Sequence, residues 1–117
     1  MNKVYSLKLT GWSNKLAKFD IYKHKNSRAS LVVEVQADLL GDLETAVIVP
    51  LISRTKYTAT LFKRLTPILT IENQEFVMVT TDIATVKRQH LEHCVGNAAS
   101  EHEYDITNAL DFLFQGF

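Results

Sequence analysis

Asp105-Ile-Thr-Asn-Ala-Leu-Asp-Phe-Leu-Phe-Gln-Gly-Phe117 is where the spacing of apolar residues changes, and that change decides the fold. Ile106, Ala109, Leu110, Leu113, Phe114 and Phe117 fall at i, i+3, i+4, i+7, i+8 and i+11, one stripe of an amphipathic helix. Ser100 followed by Glu103 has the form of a capping box, in which each side chain satisfies a free backbone N–H at the helix start. Ser100 is therefore the expected N-cap. Gly116 suits the left-handed residue that ends a helix. An amphipathic helix needs a core to lie on, so most of the stripe is expected to be packed, with only the last turn free for contact.

Upstream of this helix the period is two. Phe19-Asp-Ile-Tyr-Lys-His24 alternates as a half-buried strand does. Lys25-Asn-Ser-Arg28 has the composition of a turn, and Gly41-Asp42 begins another. Between them Leu31-Val-Val-Glu-Val-Gln36 puts Leu31, Val33 and Val35 on one face. Thr45 to Ile52 is rich in β-branched residues and reads as a strand covered on both faces. Pro50 inside it has no N–H to give a ladder, which predicts an edge position or a bulge.

Arg54 to Leu65 reads as a loop with one helical turn at most. Ile68 to Ile71 and Glu75 to Thr81 read as a hairpin around Glu72-Asn73-Gln74. Five or six short strands before one helix suggest a small barrel or sandwich. Met1 to Ala17 keeps no period for long. It is left open as an extra strand (Val4, Tyr5, Leu7, Leu9), an arm, or read-through from upstream sequence, with Trp12 expected to pack locally. The expected organisation is an extension over residues 1–17 and a single domain over 18–117.

Composition narrows the function classes. Of 117 residues 46% are apolar and 22% charged, enough to bury one core. Thirteen basic and thirteen acidic side chains cancel, whereas phosphate contacts by Lys and Arg carry most nucleic-acid affinity, so no direct nucleic-acid binding is expected. Cys94 is the only cysteine, which fits a reducing cytoplasm. The longest apolar run, Ala46 to Ile52, is far below the roughly 20 residues that span a bilayer, and no export signal is read at the N-terminus. His90-x-x-His93-Cys94, with His102, has metal-ligand residue types but lacks a second paired half. It reads as a solvated loop with a buried Cys94 and no metal. The same atoms could serve nucleophilic catalysis, yet no nucleophile elbow or Gly-rich loop frames them, so no enzyme and no cofactor are expected.

Five segments in one order resemble the CcdB family, the toxin half of plasmid-type toxin–antitoxin pairs. They are Phe19-Asp-Ile-Tyr22, Val33-Glu-Val-Gln-Ala-Asp-Leu-Leu40 (similar to the family's "VDVQSD" strand), Val47-Ile-Val-Pro-Leu51 ("VIPL"), Val79-Thr-Thr-Asp-Ile-Ala-Thr-Val86 ("TTDMASV") and the Asp105–Phe117 ending. The likeness runs from Lys18 to Phe117. It implies an SH3-like barrel with a small extra sheet and a C-terminal helix, assembled as a homodimer. The implied activity is non-enzymatic: helix ends of the dimer dock on the DNA gyrase A subunit and trap gyrase on cleaved DNA, until a disordered CcdA-like antitoxin reverses it. That is the activity of plasmid-maintenance toxins.

By the same resemblance the gyrase contacts are Gln115, Gly116 and Phe117, with Asp111 and Phe114 behind them, the aliphatic pair Leu39 and Leu40, and Ser100. A helix end with a bulky anchor suits this role, since binding energy concentrates in such anchors. Gly116 would let backbone approach backbone. The basic residues Arg54, Lys56, Lys63 and Arg64 are the expected groove for an acidic antitoxin tail. Three departures stand out. Gln115 replaces the tryptophan of the best-known member, Phe117 replaces a β-branched aliphatic, and Lys87 replaces a family proline. Two rival functions follow. One is a ribonuclease toxin on the same barrel, holding the scissile phosphate with Arg28, Arg54 and Arg64. The other is a non-toxic relative that only binds antitoxin.

Overall fold

The computed structural model describes residues 18–25, 29, 31–40 and 42–117, with the side chain of Leu39 outside the description. The readings of residues 1–17, of Arg28 and of Gly41 fall outside the described residues.

Among the described residues seven strands precede one helix: β1 (Asp20–His24), β2 (Leu31–Glu34), β3 (Thr45–Ser53), β4 (Ile68–Ile71), β5 (Gln74–Met78), β6 (Ala84–Lys87), β7 (Leu91–Asn97) and α1 (Ala99–Gln115). Every pairing is antiparallel, in the order β4-β5-β3-β2-β1-β7, with β6 also beside β3. The sheet curls into a half-barrel, the mainly β barrel-like architecture that the sequence pattern implies.

Alternation along the strands sorts side chains onto two faces. Ile21, Val33, Val49, Leu51, Leu69, Ile71, Phe76 and Met78 bury on one face with Ile106 and Ala109 of α1, and Leu31 and Val35 pack beside them. Tyr22, Val32, Ala46 and Ile48 form a smaller cluster on the other, under Val86 and Leu91. β3 is thus covered on both faces. Burying one Ile or Leu side chain fully is worth roughly 1.5–3 kcal/mol, so the first cluster dominates the stability of the fold.

Pro50 corrects an expectation, because its strand is the central one. β3 pairs with β2 along one side, while its other side is shared: β6 takes Thr45 to Ile48 and β5 takes Leu51 to Ser53. The Pro50 carbonyl points to that shared side and accepts the Val79 N–H at 3.0 Å. In a strand the N–H of a residue points the same way as its C=O, so the missing donor faces the gap between β5 and β6. No ladder bond is lost there.

Two strands were missed in the sequence. β6 and β7 are mostly exposed, so their polar composition hides the alternation. His90 to Cys94, read as a solvated loop with a buried cysteine, run from a 3-10 turn into β7, an edge strand on β1, and Cys94 is exposed. The β4–β5 hairpin turns on Glu72 and Asn73, with φ of 53° and 67°, the type I′ geometry that matches strand twist. β5 accordingly starts at Gln74, and Thr80–Asp82 forms a 3-10 turn rather than continuing the strand.

The capping box is also corrected. The N-cap is Ala98, and Ser100 lies inside the first turn of α1. Asn97 performs the capping instead: its Oδ1 accepts the Ala99 N–H at 2.8 Å, and its Nδ2 donates to the Lys18 carbonyl and to Asp20 Oδ1. One amide therefore ties the helix start to the start of β1, a contact no local sequence rule contains. At the other end Gly116 adopts φ 81°, as expected, and its N–H reaches the Phe112 carbonyl at 2.9 Å.

A buried ion pair fastens the second face. Glu34 on β2, only 2% exposed, receives both terminal nitrogens of Arg88 at 3.2 and 3.1 Å, while Arg88 Nε donates to the Leu43 carbonyl. Burial pushes the Glu34 carboxyl above its ordinary pKa, and the Arg88 hydrogen bonds pull it partly back. Arg88→Ala should therefore lower unfolding free energy by about 3–5 kcal/mol at neutral pH, because a buried charge loses its partner. A carboxyl whose folded-state pKa lies above its unfolded one loses stability as pH rises through that interval. The Arg88→Ala penalty should therefore shrink below the ordinary value of 4.5, as denaturant titrations at several pH values would reveal.

Substitutions along α1 should grade with burial. Ile106→Ala, at a fully buried site, should cost about 2–5 kcal/mol, and Phe117→Ala, at a site 73% exposed, less than about 0.5. Gly116→Ala meets no steric obstacle within 4 Å but must hold a left-handed φ, a penalty of about 1–2 kcal/mol. Chemical denaturation of the three variants checks the gradient.

Candidate functional site

Helix α1 changes character along its length. Ile106 and Ala109 are fully buried, Leu110 and Leu113 are half-buried, and then the helix runs past its support. Phe114 and Phe117 are 68% and 73% exposed, with Gln115 and Gly116 exposed between them. Asp111, Phe114 and Gln115 stand at i, i+3 and i+4 and so share one helix face. The structure thus brings together five of the expected contact residues, on one rigid element. What they present is two aromatic rings, a carboxylate, an amide and the partly unpaired carbonyls of a last turn.

Ser100 is not part of this cluster. At 1.5 Å per residue it lies about 22 Å away along the helix axis, at the opposite end of α1. Leu39 and Leu40 belong to a 3-10 turn (Asp38–Leu40) after β2. Leu40 is 45% exposed, and Gln36 Nε2 holds its carbonyl at 2.9 Å. An exposed aliphatic on a short, hydrogen-bonded turn is available to a partner.

The basic loop between β3 and β4 is built on local hydrogen bonds. The Lys56 and Tyr57 N–H groups both reach the Ser53 carbonyl, at 2.9 and 3.1 Å. Arg54, Lys56, Lys63 and Arg64 are all exposed, as a groove for an acidic chain would need. Arg54 reaches Glu75 only at 3.9 Å with both side chains in solvent, a weak restraint. Arg64 lies over the ring of Phe112 on α1. Leu61 and Phe62 in the same loop are 41% and 59% exposed, and the sequence reading passed over them. Two adjacent apolar residues beside Lys63-Arg64 were the available signal.

His90, His93, Cys94 and His102 do not gather into one site, although the His24 and His90 rings meet edge to face with centroids 6.0 Å apart. His93 and Cys94 are neighbours on β7, where successive side chains point to opposite faces, and His90 precedes the strand in a 3-10 turn. His102 Nε2 accepts the Thr70 N–H at 3.2 Å, covering a backbone group on the outer edge of β4. Among the described residues no group of three or more His, Cys, Asp or Glu could hold a metal ion. The phenol of Tyr22 is pushed upward by burial, with Asp20 adding to the effect, and donates to Asp20 Oδ2 at 3.3 Å. That keeps it neutral and structural. Among the described residues no helix is long and apolar enough to cross a membrane.

Comparison with known proteins places this geometry. An endoribonuclease in complex with its cognate antitoxin, from a Mycobacterial species, is similar with a TM-score of 0.68 and 14% identity, over 85% of this chain and 94% of that one. An endoribonuclease from a Mycobacterial species is similar with a TM-score of 0.66 and 15% identity, over 86% and 92%. At such identities the likeness is one of fold. Residues 18–116 match the model of the family described as "CcdB protein". With that match covering nearly the whole described chain, the protein belongs to the CcdB family of toxin–antitoxin toxins.

Proposed function

We propose that this protein is a non-enzymatic toxin that binds the DNA gyrase A subunit through the end of α1 and traps gyrase on cleaved DNA. One observation carries the reading: two phenylalanines, 68% and 73% exposed, stand at the C-terminal end of a helix whose earlier apolar positions are buried or half-buried. Exposed rings on a rigid element are costly in water and suit insertion into a partner's pocket. Asp111, Gln115 and Gly116 complete the contact, Leu39 and Leu40 add an aliphatic flank, and Ser100 contributes from the far end of the helix. No catalytic group, cofactor or metal enters the mechanism. The damage is gyrase's own arrested cleavage complex, formed in the cytoplasm.

The toxin acts as a homodimer, so that two helix ends engage the two A subunits, and a sedimentation mass of one chain would contradict this. A CcdA-like antitoxin neutralises it, its acidic segment held by the exposed loop of Arg54, Lys56, Lys63 and Arg64. Complementary charge on such a rim chiefly speeds and orients association.

The endoribonuclease names of the two similar structures favour a second reading, RNA cleavage on the same barrel. Of the arginines that chemistry would recruit, Arg54 faces Glu75, Arg64 stacks on Phe112, and Arg28 is outside the described residues. A third reading is a non-toxic relative that only sequesters antitoxin.

Induction in a gyrase-sensitive bacterium, beside a copy lacking residues 115–117, separates the three. The full chain should kill and accumulate cleaved DNA with purified gyrase, and the shortened one should do neither. RNA cleavage that survives the truncation would establish the second reading. Tight antitoxin binding with undisturbed supercoiling would establish the third.

A further inference from the structure

We propose that Arg64 is a positioning residue for the docking end of α1, acting through the ring of Phe112; this rests on the helix end being the partner-binding element. The guanidinium carbon of Arg64 lies 4.4 Å from the centroid of that ring. The position of Phe112 gives the contact its consequence. Its carbonyl accepts the Gly116 N–H at 2.9 Å, the hydrogen bond that closes the helix at its left-handed residue and so sets the direction of Phe117. Holding the ring restricts the residue that carries the closing carbonyl.

The loop is rigid enough to act as the support. Thr66, buried, accepts the Phe62 N–H at 2.8 Å and donates its hydroxyl to the Phe62 carbonyl at 3.0 Å. The backbone N–H groups of Leu65 and Thr66 reach the same carbonyl at 2.8 Å, and the Leu65 carbonyl accepts the Thr80 N–H. Arg64 therefore projects from a closed turn anchored beyond the end of β5.

Electrostatics point the same way. The last turn of α1 contains no basic residue, so the partial negative charge of the helix C-terminus has no cation of its own. Arg64 brings one from the loop. A lysine would supply the charge but not the planar group that stacks on a ring. Arg64 thus serves the helix as well as belonging to the basic loop, although it is exposed like Lys56 and Lys63.

The test reads the helix end directly. Hydrogen exchange of the Gly116 amide is followed by NMR in the unaltered chain, Arg64→Ala, Arg64→Lys, Phe112→Leu and the Arg64→Ala/Phe112→Leu pair. Unfolding midpoints and affinity for the dimerisation region of gyrase A are measured alongside. Arg64→Ala should speed Gly116 exchange about two- to five-fold, the factor an exposed cation–π contact is worth, with little change in midpoint. Arg64→Lys should fall closer to alanine than to arginine, and Arg64→Ala should add nothing once Phe112 is leucine. Gyrase affinity should drop by a similar factor, through faster dissociation. Unchanged Gly116 exchange in Arg64→Ala, or an effect that persists in the Phe112→Leu background, overturns the proposal. An exchange pattern as expected in a chain that does not bind gyrase supports the positioning role and overturns the gyrase reading instead.

Discussion

Everything distinctive about this molecule depends on where α1 stops being buried. Ile106 and Ala109 belong to one buried cluster with Val49, Leu51, Leu69 and Met78, and this packing ties the helix to the half-barrel. At the end of the helix two phenylalanines are left in solvent despite their apolar character. A functional end on a supported helix moves little, so a partner that binds it loses less freedom on docking.

The support is itself organised around β3, the strand with three partners. Its β-branched residues feed both clusters, and its proline is tolerated because the adjoining strands change over opposite it. On the reverse face the Glu34–Arg88 pair joins β2 to the turn after β6, and the Arg88 N–H also bonds the Glu44 carbonyl at 2.8 Å. A hydrophobic pair would serve stability as well. What the ion pair adds is geometric: two parallel hydrogen bonds and a third to Leu43 accept one placement of the turn and reject its neighbours. Phe19 is held with similar firmness. Its φ of 70° is unusual for a bulky residue, and backbone bonds to Glu34 and Ala98 together with its buried ring keep it there.

The functional reading separates cleanly into anchors and supports. In the proposed reading Phe114 and Phe117 would offer area to a partner, Gly116 would set the direction of Phe117, and Arg64 would brace the closing turn from outside the helix. In that reading, Gln115 in place of the tryptophan of the best-known family member would move weight from a stacking residue to Phe117. The basic loop carries its own apolar pair, Leu61 and Phe62, so whatever binds there meets charge and hydrophobic surface together.

By itself the sequence determined the elements with a strong period and the ends with strong local chemistry. The helix stripe, the left-handed Gly116, the faces of β2 and the double coverage of β3 were all legible, because a period of 3.6 or 2 is imposed by backbone geometry alone. The order of five family segments was legible too, and it carried the architecture. Only the tertiary structure decided the rest. β6 and β7 exist because they pair with β3 and β1, not because their residues prefer strands, and Ser100 lost the cap to Asn97, whose other partners lie 77 and 79 positions away. The brace of Arg64 on Phe112 joins residues from separate elements in the same way. Contacts between distant segments depend on how the sheet curls, and the curl is a property of all its pairings at once rather than of any stretch of chain.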